Sequence, residues 1–375
     1  MLFVFGDSYV DTGNSNKSTS SSWMVPYGIT FPGTPDGRYS DGLILTDFLA
    51  DSLGLKSPLP YVMRKNAPEL VRSGINFAFG GTGVLNTFVL APNMTTQIDF
   101  LQNLVDESAY TKSDLQSSLS LVSVAGNDYS TYLAEGGSFE GLPGFITRVA
   151  EQIAVNLKRI HDIGVGKVAV GALQPLGCLP EFTAQNNFQQ CNETVNTLAE
   201  LHNTLLQQAV AKLNNESKDS GAFVILDIYG SFTSVLNHKD ATVKFENLLK
   251  PCCMPMKAGY FCGSVDAKGE KMYTQLMIFF DSSQNPLSSS QTPSSISLSP
   301  NDNKSLISPP SSTTPSPKSF ELLHHQQHHG PKPTLPSPLS PPPEVKRFGI
   351  VDEYGSTTDD FEVRDFDLGV EGVEG

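Results

Sequence analysis

Phe3-Val4-Phe5-Gly6-Asp7-Ser8-Tyr9-Val10-Asp11-Thr12-Gly13-Asn14 is an apolar run that stops abruptly at a Gly-Asp-Ser-Tyr turn. Leu2–Phe5 reads as a buried strand that starts almost at the first residue. The turn behind it holds a serine hydroxyl at the strand end. Further runs of the same kind predict strands over Ile75–Phe79, Leu119–Ala125, Lys167–Leu173 and Phe223–Tyr229. Between them lie helical patterns. Ile146, Val149, Ile153, Leu157 and Ile160 form one apolar face, and Leu198, Leu201, Leu205, Ala209 and Leu213 another. Strands alternating with helices predict an α/β fold built on a mostly parallel sheet.

The formal charge of −14 argues against nucleic-acid and anionic-membrane partners, which want clustered Lys and Arg. A neutral or organic substrate fits better. No stretch reaches the roughly 20 apolar residues of a membrane span. Met1–Phe5 has neither the basic region nor the apolar length of a secretory signal. Asn-x-Ser/Thr sequons at Asn16, Asn93, Asn192, Asn215 and Asn303 are nevertheless compatible with an extracellular glycoprotein. From about Ser282 to Pro343 the chain is dominated by Ser, Pro and Thr, with a His324-to-His329 tract, and cannot bury enough apolar surface to order itself. The expected organisation is one domain over 1–280, a disordered segment over 281–345 and an acidic tail over 346–375.

Three glycine-bearing turns follow strands: Gly6-Asp7-Ser8-Tyr9, Gly80-Gly81-Thr82-Gly83 and Gly126-Asn127-Asp128. In an open parallel sheet the strand carboxyl ends share one edge, where the ligand crevice lies, so these turns can converge. Ser8 supplies a hydroxyl nucleophile. A glycine brings a backbone N–H close to a substrate oxygen, and the Asn127 amide donates to that same oxygen. The plainer reading of each turn alone is that it only ends its strand. Val10 stands where an α/β-hydrolase nucleophile elbow needs Gly, and Asn86 stands where a dinucleotide fingerprint needs its third Gly. Neither of those alternatives is favoured, and no cofactor or metal is expected.

The first block, Phe3 to Asn14, resembles that of plant GDSL esterase/lipases in the SGNH hydrolase superfamily. Gly74-Ile75-Asn76-Phe77-Ala78-Phe79-Gly80-Gly81 resembles the second and Val124-Ala125-Gly126-Asn127-Asp128 the third. Four intervening pieces match in order: Tyr27 to Pro32, Gly37 to Gly42, Gln174 to Pro180, and Cys252-Cys253. The resemblance implies a three-layer α/β/α fold and ester hydrolysis through an acyl-enzyme on Ser8. It implies oxyanion donors from the Ser8 amide, Gly81 and the Asn127 side chain, with Gly80 as second choice for the glycine, and a small-molecule or lipid ester as substrate. Of the five cysteines, Cys178 and Cys191 are expected to pair.

The family also places an Asp-x-x-His pair beyond its cysteine-rich region. This chain follows the pattern through Met272-Tyr273-Thr274 and departs at Gln275, and it contains no Asp-x-x-His anywhere. His161, His202 and His238 read as structural, and the 324–329 tract as low-complexity sequence. Without a base, Ser8 is a poor nucleophile. The expectation is an ester hydrolase by descent, impaired as written. The alternatives are a non-catalytic SGNH-fold binding protein, or a truncated or mis-spliced gene-model product.

Overall fold

A computed structural model describes residues 1–237, 247–257 and 262–275. The expected segments 281–345 and 346–375, together with His238, the histidine tract and Asn303, lie outside the described residues. Six strands, β1 (Leu2–Gly6), β2 (Leu59–Pro60), β3 (Ile75–Asn76), β4 (Leu119–Ser123), β5 (Lys167–Gly171) and β6 (Phe223–Leu226), form a sheet in the order β2-β3-β1-β4-β5-β6. Every pairing in it is parallel. The intervening helices are α1 (Leu45–Ser52), α2 (Met94–Asp106), α3 (Lys112–Gln116), α4 (Gly126–Ala134), α5 (Leu142–Ile163), α6 (Pro180–Thr183), α7 (Glu193–Glu216) and α8 (Ile228–Leu236). Antiparallel strands β7 (Cys253–Pro255) and β8 (Tyr273–Gln275) pair separately.

The α/β expectation holds, and its physical cause is visible in β1. Phe3 and Phe5 face a core they share with Ile98, Val149, Ile153 and Leu206 of α2, α5 and α7. Leu2 and Val4 face the opposite side, where Ala50, Leu45 and Leu49 of α1 cover them. Side chains alternate across a strand, so one beneath helices on both faces must be apolar at every position. All five β1 residues are buried.

Strand ends differ from the sequence-based expectation. Ile75–Phe79 shortens to Ile75–Asn76, although Phe77 and Phe79 N–H still donate to Val4 and Gly6 carbonyls at 2.7 and 3.1 Å. Phe223–Tyr229 ends at Leu226, because Asp227 caps α8 by accepting from Gly230 N–H at 2.8 Å. Gly126-Asn127-Asp128, expected as a turn after its strand, is the first turn of α4. β2 was not expected at all. Its Pro60 removes a donor and suits only an edge strand.

The α5 face is as expected. On α7 the buried stripe is Asn196, Ala199, His202, Asn203, Leu206, Val210 and Leu213, while Leu198, Leu201, Leu205 and Ala209 flank it half-buried. Hydropathy missed this register because the stripe contains polar residues that find partners inside. Asn203 accepts from Leu173 N–H at 2.7 Å and donates to Leu173 O at 2.8 Å, and Asn196 accepts from Gly177 N–H at 2.9 Å. Two disulfides, Cys178–Cys191 and Cys253–Cys262, are present, and Cys252 is a free, exposed thiol.

Candidate active site

β3, β1 and β4 are neighbours at the centre of the sheet, so the turns that follow them share its carboxyl edge. The turn after β1 is wound by its own aspartate. Val10 and Asp11 N–H donate to Asp7 O, and Tyr9 N–H donates to Asp7 Oδ1 at 3.0 Å. Asp7 N–H reaches across to Ser123 O at 3.2 Å and ties this turn to the end of β4. Gly6 is required there. Its φ is +146°, and a Cβ would stand 1.9 Å from Ser123 O. Ser8 is half-buried, and neither its Oγ nor its N–H has a hydrogen-bond partner among the described residues.

Gln97 of α2 holds the back of the turn. Its Oε1 accepts from Gly6 N–H at 2.8 Å, and its Nε2 donates to Gly6 O at 2.9 Å and to Pro92 O at 2.9 Å. The buried Gly6 N–H at the strand end thereby finds its acceptor in the core, and the Gly6 C=O gains a second donor beside Phe79 N–H.

The turn after β3 divides its two glycines. Gly80 N–H donates to Asp11 Oδ2 at 3.0 Å and Ser15 Oγ at 3.2 Å, so it is committed to the scaffold. Gly81 N–H has no acceptor among the described residues, and its φ of +75° suits glycine. Asp11 is a hub, also accepting from Gly13 N–H, Asn14 N–H and Ser15 Oγ. Burial raises its pKa against those lowering hydrogen bonds.

Asn127 of α4 donates through Nδ2 to Thr82 O at 2.8 Å, which seats its amide beside the Gly81 turn with the second Nδ2 hydrogen uncommitted among the described residues. Thr82 Oγ1 in turn donates to Phe79 O at 2.8 Å and lies 3.3 Å from Gly6 O. Thr82 is therefore the piece through which all three turns meet. Ala125, just ahead of α4, has φ +128°, a conformation that costs a non-glycine residue about 1–3 kcal/mol and clusters at functional sites. Asp128 fastens α4 to the loop after the Gly81 turn by accepting from Val84 and Leu85 N–H at 2.9 and 2.8 Å. Burial pushes its carboxyl up to about 6.

The two described histidines stand apart from this arrangement. His161 stacks on Phe223, the first residue of β6, at 5.2 Å, which places it at the opposite edge of a parallel sheet. A cavity of about 590 Å³ opens there, lined by Tyr110, Lys112, His161 and Asp219, and touches none of the three turns. His202 is buried behind α4 with its Nδ1 2.6 Å from Tyr129 Oη, and burial lowers its pKa to about 4. Sequence reasoning missed Asp11, Gln97, Thr82 and Asp128 as builders of the site. Gly80-Gly81-Thr82 and Asn127-Asp128 flagged the neighbourhood, but nothing local distinguished one glycine from the other.

The family model of the GDSL-like lipase/acylhydrolases matches residues 2–254, a span that contains all three turns. The chain belongs to the GDSL-like lipase/acylhydrolase family. By family it is a carboxylic ester hydrolase, and the expected plant lineage is supported by its relatives. Two GDSL esterase/lipases of Arabidopsis thaliana are 56% and 54% identical over 277 and 278 residues, covering 72% of this chain and 77% and 78% of their own lengths. Acetylajmalan esterase 2 of Rauvolfia serpentina is 31% identical over 277 residues, covering 67% of this chain and 75% of that protein. Among solved structures, the acetylxylan esterase Axe2 of Geobacillus stearothermophilus aligns at 14% identity and a TM-score of 0.30, over 63% of this chain and 79% of that one. That likeness is too loose to transfer any residue. No described helix of this GDSL-family chain is long and apolar enough to cross a membrane.

Proposed function

We propose that the chain is a serine ester hydrolase by construction, with Ser8 as nucleophile and with Ser8 N–H, Gly81 N–H and Asn127 Nδ2 as oxyanion donors. The reading rests on one observation: the turns after β1, β3 and β4 interlock through Thr82 and leave Ser8 N–H, Gly81 N–H and the second Asn127 Nδ2 hydrogen without acceptors among the described residues. Attack by Ser8 Oγ on an ester carbonyl would move negative charge onto the carbonyl oxygen. Preorganised donors stabilise that charge, each commonly worth 10²–10³ in rate. Collapse expels the alkoxide and leaves an acyl-Ser8 that water hydrolyses. Gly80 has no part in this, since its N–H is bound to Asp11 and Ser15.

The base is the weak point. His202 is engaged by Tyr129, His161 lies at the far sheet edge, and the sequence carries no Asp-x-x-His. We therefore infer that this chain turns over ester slowly. The same observation favours a second reading, a binding protein that keeps the crevice for a small-molecule or lipid ester without hydrolysing it. The disulfides and the sequons at Asn16, Asn93, Asn192 and Asn215 support an extracellular, glycosylated protein.

The test compares hydrolysis of a short-chain chromogenic ester by this chain and by a chimera whose sequence after Thr274 is a family segment bearing Asp-x-x-His. The chimera should gain roughly 10² to 10⁴ in rate, and Ser8→Ala should remove the gain. Equal rates for the two proteins would mean that another residue serves as base.

A further inference from the structure

The loop between β3 and α2 carries a feature that the ester chemistry does not use. Phe88-Val89-Leu90-Ala91-Pro92 is a run of five apolar residues at its tip. Phe88 is 42% and Leu90 103% exposed, so Leu90 projects with no cover at all. Isolated exposed leucines are ordinary, but here two large apolar side chains two residues apart face water, with Val89, Ala91 and Pro92 half-buried around them.

The base of the loop is firmly held. Val84 and Leu85 N–H donate to the Asp128 carboxylate, Met94 N–H closes the loop onto Gly83 O at 3.0 Å, and Thr87 Oγ1 donates to Gly81 O at 2.8 Å. Asn93 Nδ2 donates to Asn86 Oδ1 at 2.7 Å, and Pro92 O accepts from Gln97. Polar groups at the foot are satisfied by the domain, and what remains outward is hydrocarbon. The stretch from Ser73 to Ile98 contains no Asp, Glu, Lys or Arg in a chain of net charge −14.

We propose that the Phe88–Pro92 tip is an interfacial anchor that inserts into a lipid surface without net charge and holds the Gly81 turn against it. A convex tip with a fully exposed Leu is suited to a medium that surrounds it, which one small ligand cannot do. The absence of cations within the loop, together with the overall negative charge, selects an uncharged or zwitterionic surface over an anionic one. The proposal rests on the active-site reading only for its purpose. Adsorption itself requires no turnover.

The experiment is co-sedimentation of the full 375-residue chain with vesicles of ether-linked dialkylphosphatidylcholine, which offer no ester to cleave. The unmodified protein should bind, and a Phe88→Ser/Leu90→Ser double variant should lose partition by roughly tenfold or more, on the scale of burying two such side chains. Leu90→Met should retain binding. Phe48→Ser, which removes a 59% exposed aromatic on α1, should bind like the unmodified chain. Unchanged thermal unfolding in the double variant keeps misfolding out of the comparison. The proposal is overturned if the unmodified chain does not bind, if the double variant binds equally, or if Phe48→Ser loses as much. Partition that rises when anionic lipid is mixed in would overturn it too. A chain that adsorbs through this tip but shows no Ser8-dependent hydrolysis in the chimera would keep this inference and end the esterase reading.

Discussion

His202→Gln should change how stability depends on pH. The ring is buried on α7 with Nδ1 2.6 Å from Tyr129 Oη on α4. Burial, with the Asp128 charge nearby, raises the Tyr129 pKa, so the phenol keeps its proton and donates to a neutral imidazole. Burial lowers the His202 pKa from 6.5 to about 4. A depressed folded-state pKa means that the unfolded chain binds the proton more readily. The stability His202 contributes is therefore present above pH 6.5 and is lost as pH falls towards 4, by roughly 3 kcal/mol at 1.4 kcal/mol per tenfold.

Asp128 works in the opposite direction. Its carboxyl rises from 3.8 to about 6, so its contribution is present below 3.8 and lost as pH climbs through 6, again by roughly 3 kcal/mol. In the unmodified protein these two slopes offset each other between pH 4 and 6. In His202→Gln, where the amide can still accept from Tyr129, only the Asp128 slope remains of the pair. Urea unfolding of both proteins at half-unit steps from pH 4 to 7 measures this. The stability difference, unmodified minus variant, should grow by roughly 3 kcal/mol from pH 4 to 6.5, because every other titrating group cancels. Parallel curves would refute both the buried neutral imidazole and its sign.

Three further outcomes follow from the site's construction. Gln97→Leu strands the Gly6 N–H in the core, while the Gly6 C=O keeps Phe79 N–H, and should cost about 1–3 kcal/mol in urea unfolding at pH 7. Gly6→Ala puts a Cβ 1.9 Å from Ser123 O at a φ of +146° and should abolish soluble, cooperatively unfolding protein, read by circular dichroism. Replacing Cys178 and Cys191 together by serine opens the loop and should lower stability by about 3 kcal/mol, measured against the oxidised unmodified chain.

By itself the sequence determined the class of fold and the edge at which chemistry could occur. Leu2–Phe5 is apolar on both faces, and its alternation with amphipathic helical patterns down the chain selects a strand beneath two helical layers. Ser8, Gly81 and Asn127 each follow such a strand, so a parallel sheet was enough to bring them to one edge. Hydropathy could not read positions where burial and polarity coincide. Asn203 and His202 lie on the buried stripe of α7 because their partners, the Leu173 backbone and the Tyr129 hydroxyl, come from elsewhere in the chain. For the same reason only the tertiary structure separated Gly80 from Gly81. The two are adjacent glycines with the same chemistry, and what distinguishes them is a carboxylate from Asp11, 69 residues earlier, that takes one N–H and leaves the other open.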